Sequence, residues 1–532
     1  MKRDSSSELA GRGVAVVAGG PPAPGDGGFF GHPRGLATLF FTEMWERFSF
    51  YGLRPLLVLF MAAALMEGGF GFPRDQASAI VGIYAASVYL ASLPGGWVAD
   101  RLFGLRRAIF IGAVLISLGH LSIGLSGISG SGQKIWFFLG LILIVLGTGL
   151  LKPNISAIVG DLYPEGGARR DAGFSIFYMG INIGAFFGQL ITGLLGEAVG
   201  WHWGFGAAGV GMFIGLIVYW LTAPRTLGDI GLEPVRHPDP VVQARQERQA
   251  KLGLGIGLGA LALVFVLAAA GVITLDAQVI GQSMTYVLVG LALAYFVYLF
   301  TAGGLNGDEK KRMGVILILF IFAAIFWSAF EQAPTSLNLF ARDFTDRQLG
   351  GYTIPATWFQ SINSLFIILL APVAAAVWVA LGKRGGDLSS PTKFALGLLF
   401  AGVGFLLMIF AARAVVTGGP GTLVSPWWLV GSYFFQTVGE LCLSPVGLSS
   451  MTKLSPRKYV GQVMGIWFLA SAVGNLIAGL VGGNVDPERL EQMPQLFTAT
   501  TVSLVAAAAV LALMIVPIRR IMAKQDETVA AG

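Results

Sequence analysis

Seven charged residues fall deep inside apolar blocks of this 532-residue chain, turns away from the block ends: Glu43, Glu46, Arg47, Arg54, Lys152, Glu331 and Glu440. Each would cost about 2.5–3.5 kcal/mol at the centre of a bilayer. Seven isolated charges would cost on the order of 20 kcal/mol, more than the net stability of most folds. They must face protein or a water-filled cavity, and pair. Four acids stand against three bases, which leaves one carboxylate without a permanent partner. Burial disfavours its charged form, so it is a natural place to hold a proton. Structural salt bridges between helices are the competing reading, but buried pairs stabilise poorly compared with apolar packing.

The first block, FTEMWERFSFYGLRP, carries Glu43, Glu46, Arg47, Phe50, Tyr51 and Arg54. At 100° per residue these six fall within an arc of about 140°. One helix face thus presents two acids, two bases and an aromatic pair, although Phe50 by itself reads as packing. Lys152 precedes Pro153 in GTGLLKPNISAIVGDLY, where the freed carbonyl and a kink would let its ammonium reach a cavity. Snorkelling to an interface is the alternative for that lysine. Tyr178 and Asn182 share a face in FYMGINIGAFFG, beside a Gly180, Gly184, Gly188 row suited to close helix packing. Further on, Glu331 lies one turn after Trp327, and Glu440 one turn before Pro445. Asn363 sits in FQSINSLF, and Trp467 and Ser471 share a face of GIWFLASAVG. Membrane tryptophans usually anchor at interfaces; these two lie turns inside their blocks, so a cavity role stands beside that one.

The elements that must hold these groups are helices in lipid. Only 12% of residues are charged and 55% are hydrophobic, against roughly 25% charged in a soluble domain. That composition excludes a disordered or nucleic-acid-binding chain despite a net charge of +6, and disfavours a soluble enzyme. Fourteen apolar blocks span 36–66, 76–101, 106–126, 135–161, 172–197, 203–223, 252–274, 281–303, 313–341, 355–382, 391–413, 425–453, 459–481 and 495–520. Each is long enough to cross roughly 30 Å of hydrocarbon as a helix. With a cytoplasmic N-terminus, 26 Lys and Arg fall in cytoplasmic segments and six outside, a bias that sets the orientation with both termini inside.

The domain reading is a disordered cytoplasmic tail (1–35) whose following span serves as an uncleaved insertion signal, then a six-helix bundle (36–223). A cytoplasmic linker (224–251), an inserted hairpin (252–303), a second linker (304–312), a second bundle (313–520) and a cytoplasmic tail (521–532) follow. The hairpin contains no charge in its spans and reads as structural, with small-residue spacing in GLGIGLGA. The loop GGWVADRLFGLRR (95–107) has a weak counterpart in ALGKRGGD (380–387), which fits a transporter built from repeats. The four histidines are scattered and Cys442 is the sole cysteine, so no metal site, disulfide or nucleophile–base pair is expected.

EMWERFSFYG (43–52) resembles the E-x-x-E-R-F-x-Y-Y signature of the proton-dependent oligopeptide transporter family, within the major facilitator superfamily. FYMGINIGAFFG (177–188) is similar to that family's second signature, and GTGLLKPNISAIVGDLY (147–163) to its fourth span; the likeness runs from about 36 to 520. It implies an all-α major facilitator fold of six plus six helices with an inserted two-helix hairpin, and no enzyme activity. It implies a monomeric, proton-coupled importer of di- and tripeptides in the cell membrane, with protons as coupling ion and no cofactor. Another small metabolite or anion, such as nitrate, an amino acid or a drug, is the alternative substrate.

Carried over residue by residue, Glu43, Glu46, Arg47 and Glu331 become proton-coupling residues. Arg54 with Glu331, and Lys152 with Glu440, become gating salt bridges. Arg47, Tyr51, Tyr89, Lys152, Tyr178, Asn182, Trp327, Asn363, Glu440, Trp467 and Ser471 become substrate-binding residues, with Glu440 receiving the peptide ammonium. Three departures stand out. Phe50 replaces a signature tyrosine, Ser364 stands where the family usually has proline, and no histidine occupies the middle of span 2.

Overall fold

The computed structural model describes residues 28–128, 130–164, 167–383 and 388–530. Of the two tails, residues 1–27, 531 and 532 lie outside the described residues, as do residues 384–387 of the weak counterpart loop. The first bundle comprises α1 (Arg34–Ala62), α2 (Arg74–Val98), α3 (Leu105–Ser126), α4 (Gln133–Asp161), α5 (Gly167–Ala198) and α6 (Trp201–Thr226). The hairpin is α7 (Pro240–Ala269) and α8 (Ala277–Thr301). The second bundle begins with α9 (Gly307–Phe330) and a short α10 (Asn338–Phe344). It continues with α11 (Trp358–Lys383), α12 (Ser390–Gly418), α13 (Trp427–Leu454), α14 (Val460–Val481) and α15 (Gln492–Ala530). A two-stranded turn, β1 (Gln348–Leu349) and β2 (Tyr352–Thr353), lies between α10 and α11.

The chain is thus an all-α, multi-pass membrane protein with two six-helix bundles and an inserted hairpin. Among the described residues, twelve helices are long and apolar enough to cross a membrane. The two long helices outside that set are α1 and α13. They carry Glu43, Glu46, Arg47, Arg54 and Glu440, which is why they need the other helices around them.

Local chemistry explains most boundaries. Asp239 caps α7, accepting from the Val241 N–H, and Pro240 takes the first helical position, where no N–H is needed. That helix therefore starts inside 224–251. Asp276 caps α8, and Asn306 and Glu309 form a capping box at the start of α9. The block 313–341, expected as one helix, is interrupted: α9 stops at Phe330, and Ala333–Leu337 winds as a wider π turn before α10. Pro334 is the cause, since it removes an N–H from the ladder.

Close packing within the first bundle uses glycine. A Cβ on Gly184 would meet the Met44 carbonyl, and one on Gly188 the Phe48 carbonyl, so α5 lies directly on α1. The glycines of α7 behave otherwise. Nothing lies within 4 Å of a Cβ built at Gly255, Gly257 or Gly259, so their spacing serves no helix contact here. The apolar stretch of α7 is unburied, whereas α8 packs on α2, α9 and α14.

The bundles meet chiefly along α2 with α14 and α5 with α11. The polar links between them gather at one end. Arg74 binds Asp343 at 2.5 Å, Arg342 binds Glu67 at 3.2 Å, and Asn338 donates to the Pro55 carbonyl at 2.8 Å. Glu197 accepts from the Thr357 hydroxyl at 2.9 Å and from Arg347 at 3.5 Å. Toward the other end Leu93, Tyr178 and Phe468 are exposed. The molecule therefore has a closed end and an open end.

Candidate functional site

On α1 the three charges nearest the middle of the helix form one buried group. Arg47 is 1% exposed; its Nε lies 3.2 Å from Glu43 and it also binds Glu46. Glu46 further accepts from the Thr148 hydroxyl on α4 at 3.4 Å. The guanidinium stands 4.9 Å from the centre of the Phe50 ring and 5.9 Å from that of Tyr51. Phe50 thus covers a cation with its ring face, and it also meets Tyr51 edge-on at 5.1 Å and Tyr84, stacked at 6.1 Å.

Arg54 sits toward the closed end of the same helix. Its Nη2 lies 2.6 Å from Glu331 and 2.6 Å from the Asn475 amide oxygen. Glu331 caps the C-terminus of α9 just before the Pro334 break, so the interruption in the helix positions this carboxylate across the bundle interface.

The other two charges are not paired with each other. Lys152 places its Nζ 4.9 Å from the centre of the Tyr89 ring, and no carboxylate among the described residues lies within ion-pairing distance of it. Glu440 accepts from Asn363 Nδ2 at 3.3 Å, and the same amide group donates to Thr437 at 2.9 Å. The expected Lys152–Glu440 bridge is therefore open in this structure while Arg54–Glu331 is closed. The physical reason is the tilt of the bundles: they touch at the closed end, and α4 and α13 stand apart below it.

Six of the seven charges line one cavity of about 560 Å³. The first bundle lines it with Glu43, Arg47, Tyr51, Arg54, Tyr89, Lys152, Tyr178 and Asn182. The second supplies Trp327, Glu331, Asn363, Glu440, Trp467 and Ser471. Glu46 is absent from the lining; it stands behind Arg47 against α4. The sequence reading passed over Gln189, Gln360, Tyr433 and Gln436, which also line the cavity, and Asn475, which holds Arg54. Helical spacing could have found three of them, since Gln360, Gln436 and Asn475 lie three or four residues from Asn363, Glu440 and Ser471. No metal-binding cluster of His, Cys, Asp and Glu occurs among the described residues.

A cavity between two six-helix bundles, lined by ionisable groups from both and sealed at one end only, defines a secondary transporter of the major facilitator fold. Residues 106–226 and 282–493 match the sequence model of the POT family. The peptide transporter YePEPT of Yersinia enterocolitica is 51% identical over 505 residues, covering 94% of this chain and 97% of that protein. A di-/tripeptide transporter of Lactococcus lactis subsp. cremoris is 39% identical over 459 residues, 84% of this chain and 89% of its own length. A crystal structure of the peptide transporter POT in complex with sulfate superposes with a TM-score of 0.84 at 41% identity, covering 93% of this chain and 96% of that one. A POT family transporter in complex with 5-aminolevulinic acid gives 0.82 at 35% identity, covering 92% and 98%. The chain belongs to the POT family.

Proposed function

We propose that this protein is a proton-coupled symporter that imports di- and tripeptides by alternating access. The observation that carries the reading is the pair of uncommitted charges on one cavity. Among the described residues, Lys152 on the first bundle has no carboxylate partner, and Glu440 on the second has no basic one. Peptides share a terminal ammonium and a terminal carboxylate at a nearly fixed separation, whatever their side chains. Glu440 with Asn363 would take the ammonium; Lys152, with Arg47 when a glutamate releases it, would take the carboxylate. Tyr51, Tyr89, Tyr178, Asn182, Trp327, Trp467 and Ser471 would line the space for side chains and backbone. Substrate would then bridge the bundles where the Lys152–Glu440 pair is open.

Coupling follows from the closed pair. Protonating Glu331 removes its attraction for Arg54 and loosens the closed end, a charge switch on a two-state interface. Glu43 and Glu46 compete with substrate for Arg47, so protonation there frees the base. We assign the closed end to the outside and both termini to the cytoplasm, from the distribution of Lys and Arg. The bundles 36–223 and 313–520 would rock as bodies, joined through 224–251 and 304–312, in a monomer of the cell membrane. Each charge moved inward gains about 2.3 kcal/mol per 100 mV of membrane potential.

Reconstituted in liposomes with an acid outer solution, the protein is expected to concentrate labelled dialanine. Glu331→Gln should lose accumulation and retain exchange of peptide for peptide. Concentrative uptake by that variant would remove Glu331 from the coupling. Competition by nitrate instead of by dipeptides would favour an anion substrate, for which Glu440 has no use.

A further inference from the structure

Beyond the groups placed on the peptide's termini, Gln189 on α5, Gln360 on α11 and Tyr433 on α13 line the same cavity. They are 5%, 6% and 2% exposed. Among the described residues, the Oε1 of Gln189, the Nε2 of Gln360 and the hydroxyl of Tyr433 find no hydrogen-bonding partner. Buried polar atoms are nearly always satisfied, because leaving one unmade costs its full desolvation. Three in one cavity wall call for a ligand that satisfies them.

Their placement is fixed by the seams around them. Trp358 Nε1 donates to the Leu190 carbonyl at 2.8 Å, which brings the turn of α5 holding Gln189 against the turn of α11 holding Gln360. Asn363 and Thr437, bonded at 2.9 Å, join α11 to α13 one turn further toward the open end. Gln360 precedes Asn363 by one helical turn, and Tyr433 precedes Glu440 by two. The group therefore stands on the closed-end side of Glu440 and Asn363, within reach of the side chain of a peptide's first residue.

We infer that Gln189, Gln360 and Tyr433 form a subsite for an uncharged hydrogen-bonding side chain, best matched by a primary amide, on the first residue of the peptide. One unmet acceptor (Gln189 Oε1) faces the amide N–H and one unmet donor (Gln360 Nε2) faces its carbonyl, while the Tyr433 hydroxyl can serve either. A cation or carboxylate would gain no countercharge from these three residues. The inference rests on Glu440 receiving the ammonium.

The test compares glutaminyl-alanine with methionyl-alanine, two peptides of similar shape. Thermal stabilisation of the purified protein reads their relative affinity without flux, and competition against labelled dialanine in proteoliposomes reads it during transport. The wild type should prefer glutaminyl-alanine, and the preference should fall about fivefold in Gln360→Met and in Gln189→Met, roughly one neutral hydrogen bond each. Tyr433→Phe supplies a variant of nearly unchanged shape. An equal preference in wild type and all three variants overturns the subsite. Failure of the wild type to accumulate dialanine, with the amide preference intact in the binding assay, overturns the transport reading and leaves the subsite supported.

Discussion

Arg54 is shared between two helices of the opposite bundle, Glu331 at the end of α9 and Asn475 on α14. Asn475 also donates to the Ser471 carbonyl at 2.9 Å, so its amide is oriented before the arginine arrives. A hydrogen bond to a charged group is worth about 1.5–3 kcal/mol. Asn475→Ala should weaken the closed end by about that amount. The measure is the rate at which a cysteine at Ser336, fully buried there, is modified by a thiol reagent in a Cys442→Ser background. An unchanged rate would show that Glu331 alone holds Arg54. Asn475 also marks what the sequence could and could not reveal. A charge in an apolar block announces itself through its insertion cost, and all seven were visible that way. A neutral amide carries no such signal: Gln360 and Asn475 are marked only by their helical spacing from Asn363 and Ser471, and Gln189 emerges only with the fold. The resemblance implied both pairs, Arg54 with Glu331 and Lys152 with Glu440; only the first is formed here, because an ion pair across the interface depends on which end of the molecule is shut.

The helices divide into seams that stay packed and seams that must part, and glycine serves both. Within the first bundle α3 and α4 cross at Gly112 and Gly147, where a Cβ on Gly147 would stand 2.6 Å from the Gly112 carbonyl oxygen. Between bundles α2 and α14 cross at Gly82 and Gly479, where a Cβ on Gly479 would stand 2.7 Å from the Gly82 Cα. Overpacking typically costs 1–3 kcal/mol, but the consequence differs with the seam. Gly147→Leu should lower thermal stability and yield. Gly479→Leu should leave a folded, monodisperse protein, because the bundles can tilt apart, yet reduce uptake more than tenfold by opposing closure. Equal thermal destabilisation by the two would show that the α2–α14 seam is as permanent as the α3–α4 seam. Helix positions were readable from apolar blocks alone. The break between α9 and α10 was not, since the block 313–341 stays apolar through it, and only the turn geometry around Pro334 shows that Glu331 ends a helix.

The hairpin is the part of the molecule whose composition said least, because spans without charge and with few polar groups leave function unmarked. Its packing says more. At the closed end α8 touches both bundles: Gln278 donates to the Asp75 carbonyl at 2.8 Å, and a Cβ on Gly281 would lie 3.1 Å from Leu480 and 3.9 Å from Ile83. Toward the open end its polar contacts are with the second bundle. There the Tyr295 hydroxyl donates to Gln462 at 2.5 Å, and Lys458 donates to the Gly303 carbonyl at 2.8 Å. If the bundles rock to open the closed end, α8 must leave one of them, and its longer contact is with the second. It should therefore travel with α9 and α14 and release α2. In a Cys442→Ser background, cysteines at Asp75 and Gln278 joined by a short bis-methanethiosulfonate reagent should block dialanine uptake, and reductive cleavage of the two disulfides should restore it. Cysteines at Tyr295 and Gln462, joined in the same way, should leave uptake within twofold of the uncrosslinked protein, since both positions belong to the same moving body. Transport through the joined 75–278 pair would mean that α8 follows α2 instead; inhibition by both pairs would mean that the hairpin itself must flex during the cycle.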